Sequence, residues 1–212
     1  GMMGITLVFI AITSINAINA PVVRLKNSGQ SPNLDMLASC NYHVFMSHVW
    51  ATGKKSTHSI SRKLQLFMPK LKVWLDVDSL EFIGRLEEYV EESAVFVLFY
   101  SEGYFRSKNC RKEIYAAVQM EKPIILLHEG SEAVLDDLRD ECETNCIDAP
   151  GSEYILDHLF KSPPIQWLDE GAFSAAAMNR IYVSILSKLP RNSDLNDIQI
   201  RVPGEQGKVS LS

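Results

Sequence analysis

The stretch FRSKNCRKEI, residues 105–114, sets one carboxylate, Glu113, among four basic side chains, Arg106, Lys108, Arg111 and Lys112. Asn109 is a good helix N-cap, which puts Glu113 in or just beyond the first helical turn, where the helix dipole favours negative charge. That placement alone would make the acid structural. Its neighbours at three and four residues, however, are Asn109, Cys110, Ala116 and Ala117. None is basic, so no intrahelical ion pair accounts for Glu113. The small alanines mark a face that approaches another element. Other polar residues that can meet a ligand are Ser47 and His48 in SHVW, Lys54 and Lys55 in ATGKKS, and Asp76 and Glu81 around the segment DVDSLEFIG. For the last two a solvated acid pair is the plain reading.

Composition narrows the chemistry. The chain has 212 residues, 46% hydrophobic and 22% charged, which is enough for one globular domain with extensions. A net charge of −5 gives no electrostatic footprint for a phosphate backbone, so nucleic acid is set aside. The four cysteines, Cys40, Cys110, Cys142 and Cys146, form no C-x-x-C pair and are too sparse for a secreted disulfide scaffold. They read as reduced thiols of a cytoplasmic protein. Cys142 and Cys146 share a helical face without histidine neighbours, a packing pair rather than half a zinc site, and no metal is expected. No G-x-G-x-x-G follows the first strand, against dinucleotide-dependent redox. SHVW lacks the acid pair that a phosphoacceptor domain needs there.

The elements that must position these residues follow from periodicity. YHVFMSHV (42–49) is a strand, HSISRKLQLFMPKL (58–71) a helix with Ile60, Leu64, Phe67 and Leu71 on one stripe, and KVWLDV (72–77) a second strand. RLEEYVEESA turns Leu86, Tyr89 and Val90 inward. VFVLFYS (95–101) is nearly all apolar, as a strand buried on both faces should be. A helix over 110–120, the strand PIILLHE (123–129), an acidic helix near 131–142, the short strand IQWL (165–168) and a helix over 174–189 complete the series. The expected fold is α/β and flavodoxin-like: a five-stranded parallel sheet sandwiched between helices. Residues 1–40 read as an N-terminal extension and linker, 41–189 as the domain, and 190–212 as a flexible tail. The apolar run at 5–13 falls short of the roughly 20 residues of a membrane span. Positive charge does not precede it, so it reads as part of the extension rather than an anchor or signal peptide. In sheets of this kind ligands collect beyond the carboxyl ends of the strands. Ser47, Asp76 and Ser101 lie there.

Four segments in order resemble the TIR domain, named for Toll and interleukin-1 receptors and plant resistance proteins. VFMSHV is similar to its first-strand box, and VWLDVDSLEFIGRLEEYVEESAVFVLFYSEGY to its second strand, BB loop, helix and third strand. SKNCRKEI resembles its S-x-x-C-x-x-E segment, and IQW its last-strand tryptophan element. The nearest likeness is to the TIR domains that cleave NAD. That resemblance implies Glu113 as the catalytic acid, with Ser47, His48, Lys54, Asp76, Glu81, Tyr104, Phe105 and Cys110 binding NAD as substrate, no cofactor and no metal. Tyr104 and Phe105 would stack on a base. The BB loop residues Asp78, Ser79, Leu80, Phe82, Ile83 and Gly84 would contact other TIR domains in self-association. The chain differs from many NAD-cleaving members in carrying Asn109 where the plant form has a tryptophan, and Val49 and Trp50 where a basic residue follows the serine. A non-catalytic TIR–TIR interaction module in signalling is the alternative.

Overall fold

The computed structural model describes residues 22–75, 85–190 and 200–201. The element order is β1 (Arg24–Leu25), β2 (Tyr42–Ser47), α1 (Trp50–Phe67), β3 (Val73–Leu75), α2 (Leu86–Glu91), β4 (Ser93–Tyr100) and α3 (Lys108–Gln119). It continues with β5 (Ile124–His128), α4 (Val134–Asn145), α5 (Ser152–Leu159), β6 (Ile165–Gln166), α6 (Gly171–Ser187) and β7 (Ile200–Arg201). Five strands form one sheet in the order β3-β2-β4-β5-β6, every pair parallel. β1 and β7 make a separate antiparallel pair, Arg24 opposite Arg201 and Leu25 opposite Ile200.

Alternation along the central strands explains the layers. Val44 and Met46 on β2, Val95, Val97 and Phe99 on β4, and Ile125 and Leu127 on β5 face one side, against Ile60 and Leu64 of α1 and Met178, Ile181 and Ile185 of α6. Phe45, Phe96, Leu98 and Leu126 face the other, against α2, α3, α4 and α5. With both faces covered, these strands carry continuous apolar runs. On the second face Phe45 stacks on Trp74 with ring centroids 4.5 Å apart, and Trp74 on Tyr89 at 4.8 Å. Leu86, Tyr89 and Val90 are buried as their spacing predicts.

Several boundaries differ from the sequence expectation. α1 begins at Trp50, so ATGKKS is helical rather than a loop. Gly53 is why the helix can start so close to the sheet: a Cβ there would stand 3.2 Å from both His48 Cβ and Ser101 Oγ. α3 is capped by Ser107, whose Oγ accepts from the Cys110 amide, and not by Asn109. Glu113 therefore lies in the second turn, beyond the strongest reach of the dipole. The acidic helix runs over 134–145, and α5 occupies a stretch for which no element was expected. Among the described residues no helix is long and apolar enough to cross a membrane. The apolar run at 5–13 and the segment 76–84 lie outside them.

Candidate functional site

Ser47 ends β2 at the carboxyl edge of the sheet, next to the central strand β4. Its hydroxyl donates to Oε2 of Glu113 at 2.5 Å, joining residues 66 apart in sequence. Tyr104 Oη lies 2.5 Å from the same Ser47 Oγ. A serine has one hydroxyl proton, and here it goes to the carboxylate, so the phenol is the donor to Ser47. The chain of hydrogen bonds runs Tyr104 to Ser47 to Glu113. Burial pushes the Tyr104 hydroxyl well above its ordinary range, which keeps that proton in place.

Cys110 closes the cluster from α3, its thiol donating to the His48 carbonyl at 3.4 Å. Burial, and then the negative charge of Glu113, push this thiol up to about 12, so it stays protonated and unreactive. His48 is 5% exposed and is pushed down to about 4, chiefly by burial, with the charges of His58 and Lys54 adding to it. The imidazole is therefore neutral at physiological pH. Its Nε2 has no hydrogen-bond partner among the described residues.

The expected site thus comes together in part. Ser47, His48, Tyr104, Cys110 and Glu113 meet at the end of β2. Lys54 sits half-buried on α1, lining a separate cleft with Lys55, His58 and Arg62. Asp76, Glu81 and the BB loop residues Asp78, Ser79, Leu80, Phe82, Ile83 and Gly84 lie outside the described residues. Two expectations are corrected. Tyr104 and Phe105 are fully buried and pack edge to face with centroids 5.1 Å apart, so neither ring offers a face for stacking on a base. The apolar rings fill the core under the loop, and Tyr104 contributes its hydroxyl instead. Nor does Glu113, expected from its place on the helix after the third strand to look out across the sheet's carboxyl edge, stand open there: it is 5% exposed.

Three contributors escaped sequence reasoning. Glu141 on α4 accepts from the amides of Gly103 and Phe105 at 2.9 and 3.0 Å, fixing the turn that carries Tyr104. Gly103 takes φ +91°, a conformation that favours glycine. Thr52 on α1 ties that turn from the other side, 2.7 Å from Ser101 Oγ and donating to the Glu102 carbonyl at 3.0 Å. No spacing signal links residues this far apart in the chain.

No curated protein sequence matches the chain. Among solved structures, a metazoan TIR-STING receptor from C. gigas in complex with 2′,3′-cGAMP is 13% identical, with a TM-score of 0.47. The alignment covers 73% of this chain and 41% of that receptor, so the chain spans less than half of the receptor's length. The profile of the family described as TIR domain matches residues 44–152, from the first strand of the sheet through the helix that carries Glu113 to the start of α5. That match takes in more than half of the sequence, and with the all-parallel five-stranded sheet it establishes that the chain belongs to the TIR-domain family.

Proposed function

We propose that this TIR domain cleaves the bond between nicotinamide and ribose in NAD, with Glu113 as the catalytic carboxylate. The observation that carries the reading is a carboxylate delivered to the carboxyl edge of the central strands and held there by the Tyr104–Ser47 hydroxyl chain. Burying an acid among hydroxyls and a thiol costs the fold more than an apolar side chain of similar size would, which suits a residue kept for chemistry.

The reaction needs one acid. The nicotinamide ring of NAD is already cationic, and it leaves as a neutral molecule by taking the bonding electron pair, with no proton required. Positive charge then develops on the ribose carbon and ring oxygen. Glu113 stabilises that charge, and Ser47 can transfer its hydrogen bond from the carboxylate to a ribose hydroxyl. Water adds to the carbon and releases a proton, giving ADP-ribose; attack by the adenine gives a cyclic product instead. Access to Glu113 requires the chain over it to open, because the carboxylate is nearly enclosed.

That enclosure favours a second reading. Glu113 is 5% exposed, and a buried, hydrogen-bonded acid can be structural in a pure docking module. Nicotinamide release from NAD, followed at high protein concentration, separates the two. The catalytic reading expects turnover in the wild type and a loss of about a hundredfold or more in Glu113→Gln at unchanged thermal stability. A wild type that self-associates yet leaves NAD intact, or a Glu113→Gln variant with full turnover, assigns the domain to docking alone.

A further inference from the structure

Two clefts of opposite charge open on the surface. One, of about 500 Å³, runs along α1 and is lined by Lys54, Lys55, His58, Arg62 and Lys63, with Asp169 the one acid among its described lining residues. The other, of about 750 Å³, lies beyond the carboxyl ends of β4 and β5 beside α4, where Glu102, Glu129, Asp137, Asp140 and Glu141 gather around Arg106.

Some of these charges are committed within the molecule. Lys63 pairs with Asp169 at 2.6 Å, Glu102 with Arg106 at 2.9 Å, and Glu129 accepts from Ser56 at 2.7 Å. Glu141 holds the turn at Gly103 and Phe105. Lys55 and Arg62 are exposed, as are Asp137 and Asp140, and none of the four has an ion-pair partner among the described residues. Lys55 and Arg62 are two helical turns apart on one side of α1, about 10 Å. Asp137 and Asp140 are neighbours at a three-residue step on α4.

We propose that the basic cleft of one molecule docks on the acidic cleft of a second copy, Lys55 and Arg62 meeting Asp137 and Asp140. Charge complementarity selects this occupant. The whole chain carries −5, so two copies repel at long range, and charge favours association where these opposite faces meet. Exposed ion pairs are individually weak, so the contact is reversible and depends on several pairs acting together. It uses α1 and α4 rather than the BB loop, and it stands whether or not Glu113 is catalytic.

The sign of the salt dependence makes the contact testable. Sedimentation of the full chain should detect association at about 0.05 M salt, weakened about tenfold or more at about 0.5 M. Association driven by apolar surface would instead strengthen, because salt screens the net repulsion. The Lys55→Glu/Arg62→Glu variant and the Asp137→Lys/Asp140→Lys variant should each remain monomeric, the one acidic on both faces and the other basic on both. Mixed in equal amounts, they should associate again. A wild type monomeric at low salt, association that grows with salt, a reversal variant that still associates alone, or folded variants that fail to combine would each overturn the proposal. If either reversal variant does not fold, Lys55→Gln/Arg62→Gln decides: it should lose most of the salt dependence, and retention of the wild-type dependence overturns the contact.

Discussion

Ser47 does more for this fold than its size suggests, because its hydroxyl is a donor to a carboxylate that is 5% exposed. Ser47→Ala leaves that carboxylate short of a hydrogen bond, and we expect a loss of about 1–3 kcal/mol in denaturant unfolding. Tyr104→Phe keeps the Ser47 donation and should cost less, about 1 kcal/mol. Equal stability for Ser47→Ala and wild type would show that the acid is satisfied without the serine. Sequence reasoning singled out Glu113 because its helical neighbours left it without a basic partner, and Ser47 because strand ends collect ligands. It did not reveal the contact between them, which forms only when α3 crosses the edge of β2. It also assigned Tyr104 to its ring rather than its hydroxyl. Residue type announces both properties, and only the packing of the loop selects one.

Among the elements, β2, β4 and β5 were legible because burial on both faces demands uninterrupted apolar residues. The start of α1 was not. Its first turns, WATGKKST, carry a glycine and few apolar residues, so periodicity there is faint, and the close approach of Gly53 to His48 and Ser101 is a tertiary fact. The cap of α3 was misplaced by two residues for a similar reason: Ser107 and Asn109 are both good caps, and the chain trace out of the Tyr104 turn favours the serine. This yields a paired prediction. Ser107→Ala should lower stability by about 1 kcal/mol, whereas Asn109→Ala should change it by less than about 0.5 kcal/mol. Thermal unfolding of the two variants checks the assignment, and the reverse ranking would return the cap to Asn109. α5 escaped notice because eight residues with two buried apolar side chains barely establish a period.

For the molecule as a whole, buried histidines set the response to acid. His48 is pushed down to about 4 by burial, and His43 and His128 are lowered in the same direction for the same reason. His43 is fully engaged: one ring nitrogen meets the Leu34 carbonyl at 2.8 Å and the other accepts from the Lys72 amide at 2.9 Å. The unfolded chain protonates these rings near the ordinary histidine value of 6.5, while the folded chain resists. Stability is therefore fully present above about pH 6.5 and declines as pH falls toward the folded value. His48 alone contributes on the order of 3 kcal/mol to that decline. The thermal midpoint should drop clearly between about pH 7.5 and about pH 5, and His48→Gln should flatten the drop; an unchanged profile in that variant would exonerate His48. One further feature bears on assembly. β6, at the border of the sheet, has only two residues, Ile165 and Gln166. So short a margin offers almost no main-chain template for a neighbour to zip onto. Copies that gather along this border must do so through side chains, and a cell could disperse such clusters by shifting ions or abundance, with no amyloid-like ratchet to undo.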